Sequence, residues 1–309
     1  MKNNKFVVIL AAVLAMFFWG YSFVWYKIAY LYYKPFTVIF FRLIFSVMLL
    51  IIFLKLKGKR DKVAQKDLLR LMIMAFCEPF CYFIGEGLGM YYVSSTVGAI
   101  IIATIPLFTP FFAYRYLQEK IHFSLILGLL TSFVGVFLIV QGDYDGSNSL
   151  KGILLLVFAV ISAVVYGILL KKMSHKYSAF TIVKYQNIFG LIYFVPLFLI
   201  WELNHFLQAD HQLAGIAVIF QMALFASTLA FVFITYVIKN IGMSRTNLFT
   251  NLIPVFTAVI AYIVLKEQFS PLKILGIIIV ISGLMISEVR NLNKFRKKRF
   301  VFREVIKNS

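Results

Sequence analysis

Residues 105–135, "IPLFTPFFAYRYLQEKIHFSLILGLLTSFVG", return 148 positions later as residues 253–283, "IPVFTAVIAYIVLKEQFSPLKILGIIIVISG", with no gap between the two copies. Pro106 falls on Pro254, Phe108 on Phe256, Thr109 on Thr257, Ala113 on Ala261, Tyr114 on Tyr262, Glu119 on Glu267, Gly128 on Gly276 and Gly135 on Gly283. A shift of 144 sets "FTVIFFRLIF" (36–45) on "FTIVKYQNIF" (180–189). In a chain that is 62% hydrophobic, Leu and Ile would coincide by composition alone. Pro, Glu, Thr and Gly in register would not, so the chain reads as two copies of one unit.

The surroundings of that unit are lipid. A soluble protein is about half apolar and about a quarter charged. Here 14% of 309 residues are charged and mean hydropathy is +0.90, so no polar shell can cover the apolar mass. A bilayer core takes about 20 apolar residues per helix. Ten stretches of that kind are expected, near 6–26, 36–54, 68–92, 94–114, 123–141, 150–170, 180–201, 213–238, 243–265 and 271–289. They are long and unbroken, unlike the short alternating segments of barrel strands. The first follows Lys2 and Lys5 as a signal peptide would, but its apolar run continues to Tyr26 without a small-residue cleavage pattern, so it is expected to be retained.

The fold class that follows is an all-α integral membrane protein: ten transmembrane helices as two inverted five-helix repeats. Five is odd, so the second copy enters the membrane from the opposite side. The expected division is a first repeat at 1–142, a periplasmic linker at 143–149, a second repeat at 150–289 and a basic cytoplasmic tail at 290–309. Inverted halves are a transporter architecture, with the substrate near the midplane between them.

Charge orients the chain. The formal net charge is +19, from 31 Lys and Arg against 12 Asp and Glu. Only Lys27, Lys34, Lys151, Lys266 and Lys273 fall on one side of the ten-span plan, and Arg42 lies inside a span; all other cations fall on the opposite side. Cationic loops stay in the cytoplasm. Both termini are therefore expected inside, in a bacterial cytoplasmic membrane. Trp25, Tyr30, Tyr32, Tyr33 and Trp201 are expected as an aromatic belt at the outer interface. The tail "RNLNKFRKKRFVFREVIK" reads as an anchor on anionic lipid, at about 1 kcal/mol per cation near the surface, in preference to a nucleic-acid site.

Metal, cofactor and enzyme chemistry find little support. Cys77 and Cys81 lie one turn apart with no distant partner, and the four histidines make no ligand spacing with them. No phosphate-binding GxxxxGK[ST] loop is present, and "GEGLG" (85–89) follows no strand. No His or Asp falls within a span, so a nucleophile–base pair at depth is missing. No metal and no cofactor is expected.

With ten spans in two halves, "WGYSFVWYK" (19–27) in the first span, and a Pro…Glu…Gly…Gly pattern closing both halves, the sequence resembles the EamA family of the drug/metabolite transporter superfamily along nearly its whole length. The resemblance implies a secondary transporter of small metabolites, amino acids among them, often an exporter. An alternative within the same architecture is a flippase of a lipid or lipid-linked sugar.

Polar residues inside spans mark the candidate site. Glu78 lies ten residues into the third span, about 15 Å at 1.5 Å per residue, which is the bilayer centre. Arg42 and Glu86 each lie about six residues from the outer end of their spans. They share a depth and can pair, as a structural ion pair or as an outer gate. An unpaired charge in lipid costs at least about 2.5–3.5 kcal/mol. Glu78 has no cation at its depth; either it holds a proton or it faces water and substrate. Glu78, Tyr82 and Glu86 step by four and form one polar stripe. Gly85 and Gly89 share that spacing and allow a close helix approach.

Pro106 and Pro254 occupy matching places and free the carbonyls of Ile102 and Thr250; they are expected as cavity walls or hinges. Residues without a mate in the other half are better substrate candidates. Trp19 maps to Ala163, Arg42 to Gln186, and Asn247 and Asn251 to Ala99 and Ala103; Gln221 joins them. Asn or Gln at such depth can equally be helix glue. Ser270–Pro271 reads as an N-cap followed by proline at the first helical position. The expected partners are a small-molecule substrate, protons, and anionic lipids at the tail, with the chain a monomer or a homodimer.

Overall fold

A computed structural model describes residues 5–56, 63–109, 123–141 and 148–286, apart from the side chains at 125, 140, 244, 245, 247 and 248. Pro110, Glu119, most of the expected linker and the basic tail lie outside the described residues. All regular structure among those described is helical. In hydrocarbon a segment must satisfy its own backbone polar groups, and a helix does so within itself. The protein is an all-α membrane protein.

Among the described residues, six helices are long and apolar enough to cross a membrane: Lys5–Ala29, Pro35–Leu56, Gln65–Tyr92, Leu150–Ser174, Ala179–Trp201 and Leu213–Ile241. Each coincides with one of the expected spans. Four shorter apolar helices, Ser95–Thr109, Ile126–Ile139, Leu252–Leu265 and Pro271–Ile286, fall where the other four were expected. We label α1 (Lys5–Ala29), α2 (Pro35–Leu56), α3 (Gln65–Ala75), α4 (Tyr82–Tyr92), α5 (Ser95–Ile102), α6 (Phe123–Gln141), α7 (Leu150–Ser174), α8 (Ala179–Trp201), α9 (Leu203–Gln208), α10 (Leu213–Gln221), α11 (Phe231–Ile241), α12 (Met243–Thr250), α13 (Leu252–Ile260) and α14 (Pro271–Ile286).

The chain divides into two compact units. One comprises Met1–Ile105 with Asp145–Gln268, the other Pro106–Tyr144 with Phe269–Ser309. In the first, α4 packs on α7 while α11 packs on α1; α5 packs on α7 while α13 packs on α1; α2 packs on α8. Under the 144 shift α1 corresponds to α7 and α2 to α8; under the 148 shift α4 corresponds to α11, α5 to α12, and the helix Ser95–Thr109 as a whole to the α12–α13 pair. Each pairing therefore recurs with the halves exchanged, the pattern of a two-fold contact in which i meets j and j meets i.

Glycine makes the closest of these contacts. A Cβ at Gly85 would stand 2.5 Å from the Leu155 carbonyl oxygen and 2.9 Å from the Ala159 nitrogen, and one at Gly89 would stand 3.1 Å from the Gly152 carbonyl oxygen. The glycine face of α4 thus lies directly on the backbone of α7. The second unit repeats the device. A Cβ at Gly135 of α6 would come 2.7 Å from the Gly276 oxygen of α14, a Cβ at Gly276 would come 2.7 Å from the Gly135 oxygen, and Gly283 faces the Gly128 oxygen at 2.7 Å.

The breaks in the helices bear on the site. The polar stripe does not sit on one continuous helix as expected. A kinked segment, Phe76–Cys81, separates α3 from α4, and Glu78 has extended backbone angles, φ −149° and ψ 118°. Pro79 accounts for this, because a residue before proline is pushed out of the α region. Gly190 of α8 makes room for the Pro79 ring. A π-helical segment, Met222–Ala230, interrupts the span that joins α10 to α11. Near Pro106 the helix opens into a turn at 103–104, and near Pro254 it opens at Asn251. Ser270 Oγ accepts a hydrogen bond from the Lys273 nitrogen at 3.1 Å, the N-cap expected before Pro271. Of the expected aromatic belt, Trp25 and Tyr33 are instead buried, Trp25 stacked on Tyr21 and Phe225 and Tyr33 against Phe206 and His211, so packing claims both.

Candidate functional site

A cavity of about 80 Å³ lies within the first unit. One water needs about 10–15 Å³ on this scale, so it has room for several waters or a small solute group. Its walls come from both halves of the sequence: Trp19, Ser22 and Phe23 of α1; Arg42 of α2; Glu78, Tyr82, Phe83 and Glu86 of the broken third span; Ala163, Tyr166, Gly167 and Leu170 of α7; and Phe231, Ile234 and Ile238 of α11. Ile105 and Ile253, which neighbour the two matched prolines, also line it.

One end is closed by a buried ionic network. Arg42 Nη1 lies 3.9 Å from Glu86 Oε2. Tyr26 bridges them: Arg42 Nη1 donates to its hydroxyl at 2.7 Å, and the hydroxyl donates to Glu86 Oε2 at 2.9 Å. Tyr82 donates to the other carboxylate oxygen of Glu86 at 2.9 Å. Arg42 Nε donates to Ser227 Oγ, and the guanidinium lies 4.3 Å from the centre of the Phe83 ring. A charge pair out of water is tolerated only when its remaining donors and acceptors are also satisfied. Here a hydroxyl occupies both glutamate oxygens and a serine takes the arginine Nε. Ser227 belongs to the Met222–Ala230 segment, so this network ties the two interrupted spans together.

A neutral polar layer extends these ties to α7 and α8. Asn187 Nδ2 donates to Ser46 Oγ at 2.7 Å and to the Ser227 carbonyl at 3.2 Å, and Ser46 shares a 2.6 Å hydrogen bond with Thr228. Tyr166 donates to Gln186 Oε1 at 2.9 Å. Trp19 Nε1 donates to the Ala226 carbonyl at 3.3 Å, which fixes the indole edge-on to Phe231 with ring centres 5.3 Å apart.

Glu78 differs from its neighbours. It is 6% exposed, lines the cavity, and its carboxyl makes no hydrogen bond or ion pair with any described residue. Its non-helical backbone is what turns it into this space, since the helix ladder stops at Pro79. Among the described residues the site therefore holds one compensated charge pair and one acid without a partner.

Comparison with known proteins fits this arrangement. The model of the EamA-like transporter family matches residues 6–141 and again residues 150–288.

The chain belongs to the EamA-like transporter family.

An uncharacterized transporter of Bacillus subtilis, YetK, is 27% identical over 80% of this chain and 76% of its own. An Archaeoglobus fulgidus protein, also named an uncharacterized transporter, is 25% identical over 93% and 99%. A Streptantibioticus cattleyicolor protein named a probable terminal-alkyne amino-acid exporter is 23% identical over 68% and 69%. A crystal structure of a protein superposes with a TM-score of 0.65 at 12% identity, covering 94% of this chain and 99% of that one, a likeness of fold. EamA members are transporters rather than enzymes, and the protein is a multi-pass membrane transporter of small molecules.

Of the residues expected from sequence, this EamA chain brings Trp19, Arg42, Glu78, Tyr82 and Glu86 to one cavity. Asn251 sits at the junction of α12 and α13 outside that lining, its Oδ1 buried and without a hydrogen-bond partner among the described residues. Gln221 is exposed at the end of α10, where the π segment that follows changes which face points inward. The side chain of Asn247 lies outside the described residues. Pro106 and Pro254 are both buried. Tyr26, Ser227, Tyr166 and Asn187 carried no signal in the sequence beyond being polar atoms in apolar helices.

Proposed function

We propose that this protein is a secondary transporter that exports a small metabolite, amino acids among the candidates, by alternating access. The observation that carries the reading is the cavity itself. It is walled by both halves of the sequence, and Glu78, an acid without a partner among the described residues, stands at the break of a spanning helix. Transporter sites are built at such interrupted helices near the midplane.

The exchanged helix pairings and the double match of the family model support two inverted five-helix repeats, with boundaries at 1–142, 143–149, 150–289 and 290–309. Two packings of equivalent halves then expose one pocket to either side in turn. The charge bias supports cytoplasmic termini in a bacterial inner membrane. The exporter named among the relatives supports the outward direction.

In this reading Trp19, Tyr82 and Glu78 contact the substrate, the Arg42–Glu86 pair closes the outer end, and the breaks beside Pro106 and Pro254 act as hinges. Protons drive export through Glu78. The test is efflux from proteoliposomes loaded with a metabolite mixture under an imposed proton gradient. The wild type is expected to export with a rate that depends on the gradient, and Glu78→Gln to export at least about tenfold more slowly with that dependence gone. Undiminished, gradient-dependent export by Glu78→Gln would overturn the coupling role.

A further inference from the structure

Charge accounting around the cavity identifies the class of solute it takes. Among the described residues the lining carries three charged side chains, those of Arg42, Glu86 and Glu78. Arg42 and Glu86 cancel, since the arginine is committed to the pair, to Tyr26 and to Ser227, and its face lies on Phe83. What remains is one carboxyl, buried and without a partner among the described residues. A buried carboxylate without a counter-charge is strongly disfavoured. The cavity therefore stays closest to neutral when it holds one further positive charge.

The rest of the wall narrows what brings that charge. Trp19, Phe23, Tyr82, Tyr166 and Phe231 present aromatic surface to the same space. Aromatic faces attract cations, and more strongly when the site excludes water. Among the described residues, no lining side chain offers an uncommitted cation to a carboxylate or phosphate. An anionic solute would meet Glu78 and the negative faces of the rings.

Resting on the transport reading above, we infer that the solute is an organic monocation, such as a substituted ammonium, which occupies the Glu78 carboxylate in place of a proton. The step balances: the cation and the protonated carboxyl give the cation–carboxylate pair and one released proton. Site charge is the same before and after, so the cavity exchanges one cation for another. The titratable or charged groups that bear on Glu78 are Glu86 and Cys77 in the same span, Tyr82 in α4, Arg42 in α2 and Tyr166 in α7. Gln186, which is neutral, holds the Tyr166 hydroxyl from α8.

The test is calorimetric titration of the full chain in lipid nanodiscs with tetramethylammonium and benzyltrimethylammonium, beside benzyl alcohol and benzoate as neutral and anionic counterparts. At least one cation is expected to bind while benzyl alcohol and benzoate do not. Repeating the titration in buffers of different ionisation enthalpy should give one proton released per cation bound. Affinity should rise about tenfold per pH unit wherever Glu78 is protonated before binding. Glu78→Gln should bind at least about tenfold more weakly and release no proton. The wild-type proton count decides the matter even if that variant fails to fold.

Benzoate or benzyl alcohol binding as tightly as the cations, binding of neither cation, or unaltered binding by Glu78→Gln would overturn the assignment. Cation binding with proton release but no flux in proteoliposomes would sink the transport reading and leave this site standing. Flux of a neutral or anionic metabolite without cation binding would do the reverse.

Discussion

The Tyr26 hydroxyl stands between Arg42 and Glu86, accepting from one at 2.7 Å and donating to the other at 2.9 Å. The two charges are 3.9 Å apart, beyond direct hydrogen-bond reach, so the phenol completes the pair. It also links α1 to α2 and α4 at one point. Tyr26→Phe keeps the ring and removes the bridge. It is expected to cost about 1–3 kcal/mol, the penalty for leaving buried groups unsatisfied, measured as the shift in unfolding midpoint in detergent. A midpoint unchanged from wild type would show that the pair holds without it.

The pair itself should behave non-additively. Arg42→Met leaves Glu86 buried without its cation, and Glu86→Gln leaves Arg42 without its anion; each is expected to destabilise by about 3–5 kcal/mol. The double variant removes both charges and should be more stable than the sum of the single losses implies. A double-mutant cycle in the same unfolding assay measures the difference, and a coupling near zero would show that the two residues do not act together.

Part of this site was legible in the sequence and part was not, for identifiable reasons. Depth is linear in residue number along a helix, so counting from the span ends put Arg42 and Glu86 level with each other. Counting cannot say which residue fills the gap between them. Tyr26 is one of 17 tyrosines in a chain with 34 phenylalanines, and nothing local marks its hydroxyl as buried. The face of a helix is also lost wherever its period changes, which is why Gln221 turns outward just before a π segment. Pro79 was a readable signal that the expected stripe passed over: proline directly after Glu78 forbids the regular helix the stripe assumed. The apolar spans and their repeat were visible because they depend on composition and register alone.

The close helix contact at Gly85 admits no side chain. A Cβ there would meet the Leu155 oxygen at 2.5 Å and the Ala159 nitrogen at 2.9 Å, both backbone atoms that cannot rotate away. Gly85→Ala must push α4 from α7 and is expected to cost about 1–3 kcal/mol, as overpacking does. Gly242→Ala provides the contrast. Nothing lies within 4 Å of its added Cβ, but its φ of +81° is strained for any other residue, and the loss should be about 1–2 kcal/mol from the backbone alone. Enlarging both positions further to Val separates the causes. The Gly85 loss should grow with side-chain size, whereas the Gly242 loss should stay nearly constant.

Asp67 gathers Lys176, Arg70 and the Tyr177 hydroxyl, the last at 2.6 Å, and so joins the start of α3 to the connection after α7. The Lys176 ammonium is held above its ordinary value of 10.5, chiefly by its hydrogen bond to Asp67. A group whose folded value is raised contributes stability that is fully present below the unfolded value and is lost as pH rises through the folded one. Wild-type stability should therefore be flat on this account at neutral pH and fall in strongly alkaline solution above 10.5. Lys176→Gln should be less stable than wild type at neutral pH, and the two unfolding midpoints should converge as the pH climbs. Parallel curves across that range would show that the ammonium adds nothing.

Glu202 caps a helix to which it is not adjacent in sequence. Its carboxylate accepts from the Phe36 nitrogen at 3.1 Å, the Thr37 nitrogen at 2.6 Å and the Thr37 hydroxyl at 2.8 Å, at the first turn of α2. Pro35 opens that helix and has no N–H of its own to satisfy. The carboxylate thus takes two of the free donors and lies at the positive end of the helix dipole. Because it follows α8 directly, it fastens the α2–α8 pair at one end while Ser46 and Asn187 fasten it deeper down. Glu202→Gln keeps an acceptor oxygen and loses the charge, and is expected to cost about 0.3–1 kcal/mol. Glu202→Ala leaves both backbone donors and the Thr37 hydroxyl unanswered, and should cost about 1–3 kcal/mol. Unfolding midpoints in detergent give the order wild type, Gln, Ala. Equal losses for the two variants would mean that charge matters there and hydrogen bonding does not.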